Sequence, residues 1–91
     1  MLDFDSYKNS LPYPDHKDPD KDAKRAVYNA ESCRLNAKFE EDALAEVGLA
    51  NHPKKSLIFS RAYADGHAYG YSEVFNKLQD LADFVAELEA K

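Results

Sequence analysis

The chain has 91 residues, of which 44% are apolar, and 17 acidic residues against 12 basic ones give it a net charge of −5. This size predicts a single domain over residues 1–91, and its one cysteine, Cys33, excludes an internal disulfide. No apolar run approaches the roughly 20 residues that cross a bilayer, and the first residues lack the features of a signal peptide. We therefore expect an intracellular protein with no membrane partner. The acidic balance argues against duplex nucleic acid as a partner.

Three prolines, Pro12, Pro14 and Pro19, mark an N-terminal arm over residues 1–17. A first long helix is predicted over 18–47, since Asp18 to Asp20 form an N-terminal capping signal and Gly48 is typical of a helix end. A stripe of mainly small residues recurs along this helix at spacings of four and three, with Glu40 as its one polar position; its other members are Ala26, Ala30, Cys33, Ala37, Leu44 and Val47. We expect the stripe to face another helix closely, with Cys33 as a buried, inert thiol.

A second long helix is predicted over 53–90, beginning at Pro53 after Asn51-His52. Its C-terminal half has an apolar seam made of Val74, Leu78, Leu81, Val85 and Leu88. Gly66 and Gly70 lie within the helical pattern, where each costs about 1 kcal/mol relative to alanine. The two glycines predict a kink or a close contact.

Together these elements predict an all-α fold, an antiparallel helical hairpin with a short N-terminal arm. A hairpin has one layer and cannot bury both the stripe and the bulky aromatic residues on neighbouring faces. Chains of this length often solve the problem by association. We therefore expect copies of the chain to assemble into a compact homo-oligomeric helical bundle.

The first candidate site lies on the second helix, where residues 48–64 carry three cations and no acid. The residues that could form a ligand platform there are Arg61, Ala62, Gly66, His67 and Gly70. Ala62, Gly66 and Gly70 fall four apart on one helical face, which is equally typical of a close helix crossing.

The second candidate site is the N-terminal arm, where aromatic rings alternate with cations just ahead of a helix N-terminus. The aromatic groups that could stack on bases are Tyr7, Tyr13 and His16, and the cations that could bind anions are Lys8, Lys17, Lys21, Lys24 and Arg25. Aspartates nearly balance the bases in this segment, so a solvated tail with helix-capping residues is the competing interpretation.

Catalysis, metals and cofactors find no support in the sequence. No spacing brings Cys33, His67 and an aspartate together as a nucleophile, a base and an orienting group. The three histidines have no clustered ligand partners, and Walker and Rossmann motifs are both absent. We expect a non-enzyme that holds neither a metal nor a cofactor.

Two motifs carry a resemblance to a known family. The run Gly48-Leu49-Ala50-Asn51-His52-Pro53-Lys54-Lys55 and the segment from Gly66-His67 through Gly70 to Glu73-Val74 have the form GL-x-x-HPK and GH-x-x-G-x-x-EV. In these motifs, and in the order of features over about residues 7–85, the chain resembles the phage anti-CBASS sponges, small helical proteins that sequester cyclic oligonucleotide signals.

The resemblance implies a phage-encoded homohexamer in the host cytoplasm that binds cyclic oligonucleotides without cleaving them and so blocks CBASS-type antiviral signalling. It implies a cyclic dinucleotide site at Tyr7 or Tyr13 with Lys24 or Arg25. It also implies a cyclic trinucleotide site, shared by three protomers, whose counterparts here are Arg61, Ala62, Gly66, His67 and Gly70. Asp65, in the middle of that segment, is unfavourable next to phosphate.

Two alternatives remain open at this stage. The chain could be a phage inhibitor that acts by protein–protein contact, in the manner of an anti-CRISPR, through the acids of its C-terminal helix. It could also be a structural helical-bundle protein without a ligand, in which the glycine face is only a helix crossing.

Overall fold

The computed structural model describes residues 2–90, so Met1, in the predicted arm, and Lys91 lie outside the described residues. Two short 3-10 helices and three α-helices make up this part of the chain, and it contains no strand. In chain order they are a 3-10 helix at Phe4–Tyr7, α1 at Lys21–Glu46, α2 at Lys55–Gly66, a 3-10 turn at His67–Tyr69, and α3 at Tyr71–Glu89. The prediction of an all-α fold with a helical hairpin and an N-terminal arm is confirmed, but the hairpin is formed by α2 and α3 rather than by the predicted helices 18–47 and 53–90.

The ends of α1 follow from local sequence. At its N-terminus the Asp18 carboxylate accepts the Asp20 N–H at 2.8 Å and the Asp18 carbonyl accepts the Lys21 N–H at 3.1 Å. At its C-terminus Gly48 has a φ of +79°, and the N–H of Leu49 reaches the carbonyl of Leu44 at 2.8 Å. This 6→1 bond with a left-handed glycine is a Schellman motif, and both leucines are buried.

The prediction of one continuous helix over 53–90 is wrong, because the chain reverses at Gly70. Gly70 has a φ of +100°, a conformation that L side chains rarely adopt, and it ends the 3-10 turn that follows α2. The chain then returns along α2, and at the far end His52 Nε2 lies 2.7 Å from Glu89 Oε1. The expected close contact is confirmed at Gly66, where a Cβ would lie 2.8 Å from the backbone nitrogen of Val74.

The core is built around Phe39, whose side chain is completely buried in the C-terminal half of α1. Its ring contacts four aromatic rings, with centroid distances of 4.6–6.4 Å, from Phe4, Tyr7, Phe59 and Tyr71. Such pairs contribute about 0.5–1.5 kcal/mol each beyond the burial of their area. The 3-10 helix at the N-terminus, α1, α2 and α3 therefore meet at this one side chain.

The small-residue stripe of α1 does not face another helix of this chain, contrary to expectation. Its members Ala26, Ala30, Cys33 and Ala37 are exposed, so Cys33 is not a buried thiol. The face that carries Leu35 and Phe39 is buried instead, because it removes far more apolar area from water. Of the other two stripe residues, Leu44 is buried and Val47 is partly buried.

The apolar seam of α3 is buried at one end only. Val74 and Leu78 are buried, Leu81 and Val85 are half-buried, and Leu88 is 50% exposed. The seam therefore leaves the core as α3 approaches its C-terminus.

The N-terminal half of α1 projects from the core, and none of residues 21–34 is buried. The arm lies along it: the Asn9 amide donates to the Tyr28 carbonyl and to Ser32 Oγ, both at 2.9 Å, and Tyr13 packs edge-on against Tyr28. The molecule is accordingly elongated, with extents of 60 × 22 × 21 Å. Between residues 2 and 90, no helix is both long and apolar enough to cross a membrane.

Candidate ligand-binding site

A cavity of about 400 Å³ lies where the arm, the middle of α1 and the α2–α3 turn come together. It takes Tyr7 from one predicted site and His67 and Gly70 from the other, so parts of both sequence-predicted sites converge on one place. Its volume lies within the roughly 300–1,000 Å³ of ligand pockets. We call it the tyrosine cavity, because its walls include Tyr7, Tyr28, Tyr63 and Tyr71.

Tyr7 forms the floor of the tyrosine cavity and is 3% exposed. Its hydroxyl donates to Asp42 Oδ2 at 2.7 Å. Burial, followed by the hydrogen bond and charge of Asp42, raises the pKa of Tyr7 to about 12. Tyr7 is thus a core residue with one edge on the cavity, rather than the exposed stacking group that the sequence suggested.

Tyr63 and His67, one turn apart at the end of α2, form a stacked pair on the cavity wall. Their ring centroids are 5.2 Å apart and their planes differ by 9°. His67 Nδ1 lies 3.0 Å from the Tyr63 carbonyl oxygen, which only accepts, so this bond places the ring proton on Nδ1. In the neutral ring, Nε2 then carries a lone pair. The pair offers a flat aromatic surface that is partly open to solvent.

Tyr71 and Asn36 orient one another at the next part of the wall. The Tyr71 hydroxyl donates to Asn36 Oδ1. The pKa of Tyr71 is raised, mainly because the side chain is partly buried and to a smaller extent because of the charge of Tyr63. The Asn36 amide nitrogen makes no hydrogen bond within residues 2–90, so its N–H groups remain available as donors to a ligand.

The tyrosine cavity has a charge unlike that of the chain as a whole. No carboxylate lines it among the described residues, although the chain carries a net charge of −5. The bases on its walls are Lys8, whose ammonium lies 3.0 Å from exposed Asp5, and His67. The Lys8 ammonium and the Asn36 amide are donors on these walls, so the cavity suits a ligand with aromatic planes and acceptor oxygens.

The other predicted arm residues lie outside the tyrosine cavity. Lys24 is paired with Asp18, and this hydrogen bond lowers the pKa of the Asp18 carboxyl. Arg25 lies 3.8 Å from Asp22, and its Nε is buried without a hydrogen-bond partner within the described chain. Tyr13 is 61% exposed and packs against Tyr28, which lines the cavity.

Three residues of the predicted second site also lie elsewhere. Ala62 and Gly66 are buried at the crossing of α2 and α3. The small-residue spacing therefore marks a close helix crossing at these two positions. Arg61 is exposed and its Nε lies 3.1 Å from Asp65 Oδ2, so the neighbouring acid that the sequence flagged neutralises it.

The sequence interpretation missed several cavity residues, although their spacing carries a signal. Tyr28, Ser32 and Asn36 lie four apart on α1, and Tyr63 and His67 lie four apart at the end of α2, whereas Tyr71 follows the reversal at Gly70. Residues four apart share a helical face, so each set is a polar-aromatic stripe. Only the fold shows that the two stripes face one another.

Residues 5–86 match a family of unknown function (DUF8546), and the chain therefore belongs to that family. Neither a curated protein nor a solved structure shows significant similarity to the chain.

Proposed function

We propose that this protein binds cyclic oligonucleotide second messengers and sequesters them without cleaving them, as a phage counter-defence protein acting in the host cytoplasm on CBASS-type signalling. The observation that carries the proposal is the tyrosine cavity, which aromatic rings and hydrogen-bond donors line and to which the described residues contribute no carboxylate. Stacking of a base on an aromatic side chain is worth about 1–3 kcal/mol, and phosphate oxygens require donors. The resemblance of the Gly48–Lys55 and Gly66–Val74 motifs to the sponges supports the same ligand class.

Binding without cleavage suits the chemistry of the cavity. Hydrolysis of a phosphodiester needs an activated nucleophile and a base that a third group orients. His67 is the one histidine on the cavity wall, its Nδ1 is bonded to a backbone carbonyl, and no carboxylate on the wall can orient it.

Assembly into a homo-oligomer, a hexamer by resemblance, is part of the proposal. Its support is the exposed small-residue stripe of α1, which permits close helix approach, together with exposed Leu57, Phe84 and Leu88 at the other end of the molecule. Multi-angle light scattering at micromolar concentration is expected to give a multiple of the 10.3 kDa chain mass. A monomer mass would contradict this part of the proposal.

The direct test of function is a calorimetric and thermal-shift screen of the purified chain against cyclic di- and trinucleotides. A bound ligand raises the melting temperature in proportion to RT ln(1 + [L]/Kd), and denaturation must release it intact. No shift with any cyclic oligonucleotide would contradict the proposal. Recovery of a linear product would contradict sequestration and indicate an enzyme.

Matched tyrosine variants place the binding at the cavity. Tyr63→Leu removes one ring of the stacked pair, whereas Tyr69→Leu makes the same chemical change at a residue that is 78% exposed and outside the cavity. We expect Tyr63→Leu to weaken the affinity about tenfold or more and Tyr69→Leu to leave it unchanged. Equal affinities in the two variants would place the ligand elsewhere.

Inhibition by protein contact is the second candidate, and one feature favours it. Phe84 and Leu88 are about half exposed on the C-terminal part of α3, among the acids Asp80, Asp83, Glu87 and Glu89. An apolar centre with a charged rim is typical of an interface. Binding of a host protein that Phe84→Ser abolishes and Tyr63→Leu leaves intact would favour this candidate.

A further inference from the structure

A second cavity, of about 560 Å³, lies between α1 and α2 on the other side of the stacked pair. Phe39 and Phe59 contribute to it from the core, Ala37 lies on its α1 side, and Ser60 and Ala64 lie on its α2 side. Its lining is mainly apolar, and more strongly so than that of the tyrosine cavity. We call it the α1–α2 cavity.

The two cavities share part of their walls. Asn36, Tyr63 and His67 line both of them. The stacked pair therefore has aromatic surface turned toward each cavity, and Asn36 can donate on either side. A ligand with a single planar group can stack on one side of the pair only, whereas a ligand with two planar groups can stack on both sides.

We propose that one cyclic dinucleotide straddles the Tyr63–His67 pair, with one base in the tyrosine cavity and the other in the α1–α2 cavity. This inference rests on the proposed function and narrows the ligand from cyclic oligonucleotides in general to those with two bases. The backbone of such a ligand passes over the exposed edge of the pair, on the side where Lys8 borders the tyrosine cavity. Each base gains an aromatic surface, and the second base gains an apolar enclosure.

Charge supports this orientation. The lining of the α1–α2 cavity includes the carboxylate of Glu40, whereas no acid among residues 2–90 lines the tyrosine cavity, whose Lys8 is paired with Asp5 outside it. Phosphate is therefore disfavoured in the α1–α2 cavity, which leaves a base as its occupant. The N–H groups at the edge of a base are the natural partners of a carboxylate.

Three variants, each changed to leucine, test the two cavities separately. Ala64→Leu fills the α1–α2 cavity alone, Ser32→Leu fills the tyrosine cavity alone, and Ala68→Leu is the control because Ala68 is exposed and lines neither cavity. Ala64 is itself exposed, so its replacement is compatible with folding. Ser32 accepts a bond from Asn9, so Tyr28→Leu, which removes a wall ring of the same cavity, serves as a second variant there.

The affinities of these variants for a cyclic dinucleotide and for a 3′,5′-cyclic mononucleotide are measured by calorimetry. Wild type is expected to bind the dinucleotide at least about tenfold more tightly than the mononucleotide, since the second base adds a stacking contact. Ala64→Leu should remove that advantage and leave mononucleotide binding unchanged. Ser32→Leu and Tyr28→Leu should weaken both ligands, and Ala68→Leu neither.

Dinucleotide affinity that survives Ala64→Leu to within about twofold, while Ser32→Leu or Tyr28→Leu weakens it, would overturn the two-cavity inference and leave the proposed function standing. Absence of any cyclic nucleotide binding to wild type would overturn the proposed function as well. A dinucleotide affinity equal to that of the mononucleotide in wild type would also overturn the inference.

Discussion

The two halves of α1 illustrate how one helix can serve two purposes. Its C-terminal half carries Leu35, Phe39 and Ala43 into the core, whereas its N-terminal half, from Lys21 to Arg34, has no buried residue and is contacted by the arm. An isolated helix of this length is marginal in water, so the projecting half depends on the arm and on its continuity with the core half. The tyrosine cavity lies where the halves meet, with Tyr28 and Ser32 on one side and Asn36 on the other.

This contrast places the cavity at the boundary between a rigid and a less stable region. Binding sites often lie in the less stable parts of a fold, because a bound ligand can order the segments that it contacts. The floor of the cavity is held by the buried Tyr7–Asp42 bond, whereas its rim on the arm side depends on Asn9. Substitutions in the two halves should therefore have very different effects on stability.

The largest expected difference is between Phe39→Ala and Val27→Ala. Phe39 is fully buried among four aromatic rings, and its truncation should lower the free energy of unfolding by about 3–5 kcal/mol. Val27 is 60% exposed on the projecting half, and its truncation should change stability by less than about 0.5 kcal/mol. Urea unfolding of both variants measures the difference, and comparable losses would contradict the division of α1.

The next effect concerns the helix crossing within the core. A methyl group at Gly66 would lie 2.8 Å from the Val74 nitrogen and 2.9 Å from its Cα, so the α2 and α3 backbones must move apart. We expect Gly66→Ala to cost about 3 kcal/mol.

Gly70→Ala is the control for that substitution, since Gly70 has a positive φ but open space around it. It should cost about 2 kcal/mol from backbone strain alone, because a φ of +100° with a ψ of 178° is a region that is almost restricted to glycine. If thermal denaturation showed a smaller loss of stability for Gly66→Ala than for Gly70→Ala, the tight crossing of α2 and α3 would be contradicted.

The third prediction concerns alkaline pH. The pKa of Tyr7 is raised from 10.0 to about 12 in the folded chain, so its stabilising contribution is fully present below pH 10 and is lost as the pH rises to 12. We expect the stability advantage of wild type over Tyr7→Phe to shrink by about 2–3 kcal/mol across that interval. Denaturant titrations at pH 9 and pH 12 measure it, and a constant difference would contradict the buried Tyr7–Asp42 bond.

The smallest effect is expected at the arm. Asn9→Ala removes the two hydrogen bonds to Tyr28 and Ser32, which should cost about 1 kcal/mol and act locally. Hydrogen exchange should accelerate at residues 21–32 and stay unchanged at Phe59 and Leu78 in the core. Asn29→Ala, at an exposed residue of the same helix, is the control and should alter neither region.

Helix existence and helix ends could be predicted from the sequence, because their causes are local. Asp18 and Gly48 mark the ends of α1 through hydrogen bonds to their own neighbourhood, and Gly66 and Gly70 mark the place where the second helical region is interrupted. The full reversal at Gly70 was not predictable from these signals, since a kink and a turn need the same residue. The reversal depends on the free energy that α2 and α3 gain by packing against each other.

The face of α1 that is buried and the composition of the cavity depended on tertiary contacts. The sequence offers two apolar faces on α1. The face with Leu35 and Phe39 is buried because it removes a larger apolar area from water than the regularly spaced small residues Ala26, Ala30 and Cys33 do. Of the residues that line the tyrosine cavity, Tyr7, His67 and Gly70 were named from the sequence, whereas Tyr28, Ser32 and Asn36 came together with them only through tertiary packing.

Hydrogen–deuterium exchange of wild type with and without a bound cyclic dinucleotide tests the central claim most directly, because it locates the ligand without any substitution. We expect increased protection in the two segments that line the tyrosine cavity, at residues 28–36 and 63–71, with little change at residues 80–90. Protection confined to residues 80–90, or to the exposed stripe of α1 alone, would contradict it.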